Sequence, residues 1–161
     1  MRWDAFARAA PELAQLGAAR FTRHELLLLG TLRPNGWPRI SPVELDFVDG
    51  ELLTGMMPRS PKALDLLRDS RYVAHSVVTS RLGTEGDFKL YGRARAVDDP
   101  ERRAAYRAAI KARIDWEPEE PNYHLFALDV GSAGFVVFGD DAYGLAWDPE
   151  RGLRRWAQRL E

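Results

Sequence analysis

The chain has 161 residues, a formal net charge of −1, 45% hydrophobic residues and no cysteine. That length fits one domain, residues 1–161, able to bury a core without disulfides or metal, and the lack of cysteine excludes thiolate metal sites and thiol nucleophiles. The near-neutral balance argues against nucleic acid or an anionic membrane as partner, no apolar run approaches the ~20 residues of a membrane span, and the N-terminus lacks a signal-peptide core; the reading is a soluble, cytoplasmic domain.

Residues 1–23 are rich in Ala, Leu and Glu and predict helices, with Pro11 opening a second short one. LLLLGTL begins a series of strands. RPNGW is a turn built on Asn-Gly, PRISPVELDFV is the next strand, and its closing Asp-Gly is a second hairpin signal. ELLTGM is a third strand, and PKALDLLRDS a helix. RYVAHSVVTSRL reads as strand, GTEG as turn, and DFKLYGRARAVD as strand again. PERRAAYRAAIKARI is a helix with proline at its start. Its apolar stripe of Tyr106, Ile110 and Ile114 marks an ordinary surface helix rather than an RNA-binding one. DWEPEEP is a loop too acidic and proline-rich to pack, so it is expected to be peripheral and mobile; a rival reading makes it a lid that repels anionic substrates. YHLFALDV, GFVVFGD and YGLAWD are three late strands. Hairpin-linked strands with few helices between them predict a mainly β antiparallel barrel or sandwich with peripheral helices.

Several signatures are absent: GxxxxGK[ST], GxGxxG, GxSxG and HExxH. His24, His75 and His124 lie in separate elements, and His75 reads as a satisfied core histidine. The pairs Asp98-Asp99 and Asp140-Asp141 sit beside turn signals, where their role is turn chemistry.

Two positive features remain. In WPRISPVELDF, alternation puts Trp37, Arg39, Ser41, Val43, Leu45 and Phe47 on one face, apolar at the far end and polar at the near end. Pro38 and Pro42 remove two backbone donors, so this stretch is no fully paired central strand, and its open backbone could face a ligand. The bland alternative is an edge strand with a bulge. The second feature is the start of the following helix. Ser60 fits the N-cap and Pro61 the first helical position, yet Arg59 and Lys62 crowd an end that already carries partial positive charge. A hydroxyl, backbone N–H groups and two cations converging there make a phosphate site. A solvated lysine in a first turn is the plain alternative.

The order of elements from LLLLGTLRPNGWPRISPVELDF through MMPRSPKALDLL to DFKLYGRARAVDD and, more loosely, YGLAWDPERGLRRW resembles the flavin-binding split barrel of the pyridoxamine 5′-phosphate oxidase-like superfamily, over about residues 24–156. The resemblance implies a six-stranded antiparallel split barrel, a homodimer, and FMN in a cleft between subunits. It implies that Arg39, Ile40, Ser41, Pro42 and Val43 contact the flavin ring and ribityl chain, with Met56 beside it. Ser60 and Lys62 would hold the phosphate with Arg59, Asp87 would approach from the other subunit, and Trp147 with Arg154 or Arg155 would lie near the cofactor. Two positions depart from the pattern: Pro61 stands where many members have arginine, and GLRRWAQRL lacks the Arg-x-His that holds pyridoxal phosphate. The implied function is an FMN-dependent oxidoreductase acting on a small molecule other than pyridoxamine phosphate. A deazaflavin, F420, is the alternative cofactor, favoured by extra cations such as Arg151. Outside redox chemistry, the alternatives are a non-enzymatic flavin or haem binder, with the three histidines as candidate iron ligands, and a dimeric scaffold that binds nothing.

Overall fold

The computed structural model describes residues 1–140 and 142–157. Helices α1 (Trp3–Ala9) and α2 (Pro11–Thr22) lead, divided at Pro11 as expected. Then come β1 (Leu26–Leu32), β2 (Pro38–Glu44), β3 (Asp46–Val48), β4 (Glu51–Met56), α3 (Pro61–Arg68), β5 (Arg71–Ser76) and β6 (Asp87–Ala96). The chain closes with α4 (Pro100–Ile114), β7 (His124–Val137), β8 (Tyr143–Asp148) and β9 (Gly152–Ala157). Asp141, one of the turn aspartates, and the last residues of GLRRWAQRL lie outside the described residues.

Every ladder is antiparallel, in the order β2-β1-β5-β6-β7-β4-β3, with the β8–β9 hairpin branching from β7. The mainly β class with peripheral helices is as the sequence predicts. Six of these strands form the barrel; β3 and the β8–β9 hairpin extend the sheet to nine. β2 packs on β4 but pairs only with β1, so the barrel is split along the β2–β4 seam. The chemistry of the seam is in the sequence: Pro38 and Pro42 have no N–H to give to a second neighbour, which keeps β2 an edge strand. The Asp49-Gly50 turn between β3 and β4 has φ of 48° and 75°, the left-handed pair that a tight hairpin needs.

The main core lies between the barrel and the α1–α2 pair. Phe6 and Phe21 are fully buried, Phe21 edge-on to Phe88 at 5.2 Å and Phe6 against Trp147 at 5.0 Å. A smaller cluster holds α4 to the other side of the sheet through Tyr106, Ile110, Leu53 and Leu125. Ile114, the third residue of the predicted stripe, is exposed.

Several expectations need correction: PRISPVELDFV is two strands, β2 and β3, and RYVAHSVVTSRL is strand only to Ser76. β7 is one strand of 14 residues rather than two. Gly131 is accommodated as a bulge, since Tyr91 pairs with Ser132 and Gly92 with Val130. GLRRWA, not expected to be a strand, pairs with β8 as β9; one arginine falls on each face, so no apolar–polar alternation marks it. His75 is no core residue: Tyr72, Ala74 and Ser76 turn inward, and His75 faces out with its Nδ1 against the Ser76 carbonyl at 2.7 Å. The acidic loop is peripheral but tied down. Glu117 pairs with Arg107 and Glu120 with Arg103, each at 2.7 Å, and Pro118 is buried. The arginines come from α4, so the charges that seemed to forbid packing are what fasten the loop. Asp99, read as a turn residue, is the N-cap of α4, its side chain accepting from the Arg102 N–H at 2.9 Å.

The bulge fixes one glycine absolutely. A Cβ on Gly92 would lie 1.9 Å from the Asp129 carbonyl oxygen, whereas one on Gly134 would meet nothing closer than 3.7 Å. Gly92→Ala is therefore expected to lose at least about 2–3 kcal/mol in urea unfolding, the scale of forced overpacking. Gly134→Ala should stay within about 1 kcal/mol of the parent; equal effects would mean that the bulge yields.

Candidate functional site

The β2–β4 seam opens into a groove of about 490 Å³. Pro42 and Val43 of β2 form one wall and Met56 of β4 the floor, with Lys62 from the start of α3 at one end. α4 and the acidic loop supply the remaining wall through Tyr106, Trp116, Glu119 and Tyr123. Burial pushes the Tyr123 phenol up to about 12, so it stays a neutral donor, giving its proton side to Glu120 Oε1 at 3.1 Å. Gly55 is required where Tyr106 crosses β4, because a Cβ there would come 2.4 Å from the Tyr106 hydroxyl oxygen.

The Ser60–Lys62 corner lies at the start of α3. Ser60 occupies the N-cap of α3 with extended backbone, but its hydroxyl does not cap the helix. Its Oγ is buried without a hydrogen-bond partner, an arrangement that leaves a polar atom unsatisfied. The first turns of α1, α2 and α4 hold Asp4, Glu12 and Glu101, while the first turn of α3 holds no acidic residue. Among the described residues neither Arg59 nor Lys62 has a carboxylate partner, although most arginines of the chain do. Arg59 is exposed and Lys62 half-buried.

Arg39 is committed elsewhere. Its Nε donates to Asp65 Oδ2 at 2.7 Å, and Thr31 Oγ1 donates to the same oxygen at 2.9 Å. Asp65 is buried within α3. Burial raises its pKa, but hydrogen bonds from Arg39 and Thr31 and the Arg39 charge outweigh that and hold the carboxyl below its ordinary value. Arg39 thus anchors α3, and with it Ser60 and Lys62, to the edge strand.

The remaining predicted residues are divided among several places. Ile40 points outward from the sheet, 74% exposed, and Ser41 pairs with Leu29 in the ladder. Asp87 begins β6, 3.5 Å from Lys89 Nζ and 3.9 Å from His75 Nε2. Trp147 is a core residue, 3% exposed against Phe6, and it also lines a second, more open concavity of about 620 Å³ with Lys89, Asp148, Arg151 and Arg154. Arg154 pairs with Asp148 at 2.8 Å, and Arg155 with Glu12. Within one chain the groove therefore gathers Pro42, Val43, Met56 and Lys62, with Ser60 and Arg59 next in sequence, but not Asp87 or Trp147. None of the three histidines lines it, and His124 Nε2 is engaged with the Pro58 carbonyl at 3.0 Å. Among the described residues no cluster of His, Asp and Glu could hold a metal ion, and no helix is long and apolar enough to cross a membrane.

Sequence reading missed the far wall. Tyr106 and Ile110 look like packing residues, and they are, but they also line the groove. Trp116 and Glu119 sat in a loop that seemed unable to pack; the alternation of glutamates with α4 arginines was the overlooked signal.

An antiparallel barrel split along one seam, with helices over its outside, defines the split-barrel class. Within it the chain belongs to the pyridoxamine 5′-phosphate oxidase family, whose model matches residues 15–136. No curated protein matches the chain. Among solved structures it is similar to PhzG from Burkholderia lata 383 in complex with tetrahydrophenazine-1-carboxylic acid, at 12% identity and TM-score 0.65, covering 94% of this chain and 93% of that one. It is also similar to a pyridoxamine 5′-phosphate oxidase-related, FMN-binding protein from Nostoc punctiforme PCC 73102, at 16% identity and TM-score 0.61, covering 97% and 96%. A third is a heme-binding protein from Mycobacterium smegmatis, at 18% identity and TM-score 0.62, covering 88% of this chain and 57% of that one. Likeness at such identities shows the fold.

Proposed function

We propose that this chain binds FMN at the β2–β4 seam and acts as a flavin-dependent oxidoreductase on a small molecule. The observation that carries the reading is the corner of α3: an orphaned Ser60 hydroxyl beside two cations without carboxylate partners, at the end of a largely apolar groove. That set fits a phosphate monoester, which brings acceptor oxygens and negative charge to a helix start. Bound FMN supplies the hydride chemistry. The chain holds the phosphate with Ser60, Lys62 and Arg59, lines the ring's surroundings with Val43 and Met56, and excludes water with the α4 side.

FMN is favoured over F420 on the disposition of arginines. The longer anionic tail of F420 needs spare cations, yet Arg39, Arg154 and Arg155 are neutralised by Asp65, Asp148 and Glu12, and Arg151 lines the second concavity rather than the groove. Haem is disfavoured because no histidine lines the groove. The working unit in this reading is a cytoplasmic homodimer in which Asp87 and Trp147 reach the flavin from the second copy. Support comes from the outward sheet face, where Leu28, Ile40 and Tyr91 are 37%, 74% and 51% exposed. The register puts His75, Lys89 and Arg93 on the same face, and exposed apolar residues set among charges suit burial against another copy.

The purified protein should show the visible bands of oxidised flavin after incubation with FMN. Titration should give FMN an affinity at least about tenfold above riboflavin, the worth of one charge-assisted phosphate contact. Equal affinity for the two flavins, or a Soret band instead, overturns the reading.

A further inference from the structure

The groove's far wall speaks to what is bound there besides a cofactor. Residues 115–123 are held by the Arg103–Glu120 and Arg107–Glu117 pairs, by buried Pro118, and by the Arg103 guanidinium lying over the Tyr123 ring at 4.1 Å. A wall fastened this way presents what lies between the fastenings. Those residues are Trp116, 56% exposed, and Glu119, which alone among the loop's three glutamates has no cationic partner among the described residues. Both line the groove. An unpaired glutamate on a loop is most often a solvated charge. Here it stands on an aromatic-lined concavity, and a second carboxylate, Glu44, lines the same groove. Glu44 has only a share of Arg113, whose guanidinium also serves Glu25 and Asp46. Three carboxylates on one guanidinium leave that edge negative.

We infer that the groove takes as substrate a planar aromatic molecule bearing a positive charge, an amine or ring-nitrogen cation, selected by Trp116 and Glu119. The inference rests on the flavin reading in one respect: Lys62, the single cation lining the groove among the described residues, is assigned to the cofactor phosphate. With Lys62 so occupied, Glu44 and Glu119 set the local potential, and an indole face favours a cation over an anion. Anionic substrates of the carboxylate or phosphate type meet repulsion from both carboxylates.

Equilibrium dialysis of the full chain, with and without FMN, against 9-aminoacridine (a cation at neutral pH) and acridine-9-carboxylate tests this. With FMN present the cation should bind about tenfold tighter than the anion, given two partly exposed carboxylates acting in opposite senses on the two probes. Glu119→Gln should reduce that preference about threefold without lowering FMN affinity or the melting temperature. Trp116→Ala should weaken both probes, and Trp116→Phe should restore most of the loss. Equal binding of the two acridines, or a preference untouched by Glu119→Gln, overturns the inference; if FMN still binds better than riboflavin, the flavin reading survives that result. Loss of FMN discrimination with the acridine preference intact overturns the flavin reading alone.

Discussion

Asp65→Ala should cost the protein about 3–5 kcal/mol, the scale for removing one partner of a buried ion pair. Asp65 is 2% exposed and is the acceptor for Arg39, Thr31 and, at 3.4 Å, Arg68. Without the carboxylate, the buried Thr31 hydroxyl loses its acceptor and Arg39 is left charged and half-enclosed. For a chain of this size the melting temperature should fall by roughly 10 °C. The sign of the pH dependence follows from the direction of the shift. The folded carboxyl titrates below its unfolded value, so its stabilising effect is fully present above the unfolded pKa and is lost as pH falls through the folded one. Parent and variant should differ by a constant amount near neutrality and begin to converge as pH falls below about 4. Asp65→Asn keeps an acceptor but not the charge and should fall between them. Denaturant midpoints measured from pH 3 to 7 check all three; a difference that grows on acidification would mean that Asp65 is protonated in the native state.

The result would also separate what the sequence makes legible from what it hides. The elements follow from local signals: prolines at 11, 61 and 100 open helices, and Asn35-Gly36 and Asp49-Gly50 mark hairpins. Pro38 and Pro42 identify the edge strand and so the seam. The helix start at Ser60 stands out because its charges oppose the local dipole, a conflict visible without coordinates. Arg39 shows where such reasoning ends. On the strand it is a polar residue on an apolar face, as a ligand contact would be; its partner, 26 positions on, is an aspartate in the middle of a helix. Nothing local says that Asp65 turns inward. Trp147 is similar: the resemblance places it near a cofactor, yet α1 brings Phe6 onto it and makes it core. Trp116 and Glu119 were hidden for the opposite reason. Their loop is held by charges from α4, and sequence composition counts those charges as solvated until the two segments are placed side by side.

Lys62→Ala should weaken FMN binding by about 1.5–3 kcal/mol, roughly 10- to 150-fold, the range for a charge-assisted hydrogen bond to phosphate. The same change should leave the cofactor-free protein as stable as the parent or better by tenths of a kcal/mol. Lys62 has no carboxylate partner to lose among the described residues, and it sits in the first turn of α3, where its charge opposes the helix dipole. Ser60→Ala should show the same pair of signs. The hydroxyl caps nothing and is buried without a partner, so deleting it removes an unsatisfied group from the empty protein and a phosphate donor from the complex. Opposite signs in the two measurements matter because a folding defect lowers both together, as Asp65→Ala is expected to do. Thermal melting without cofactor and parallel titrations with FMN and riboflavin measure the effects. Riboflavin, which lacks the phosphate, should bind parent and Lys62→Ala alike, so the variant's preference for FMN collapses toward unity. If the variant keeps its full preference for FMN, the phosphate is held elsewhere, and the exposed Arg59 on the other side of the Ser60 cap is the next residue to remove.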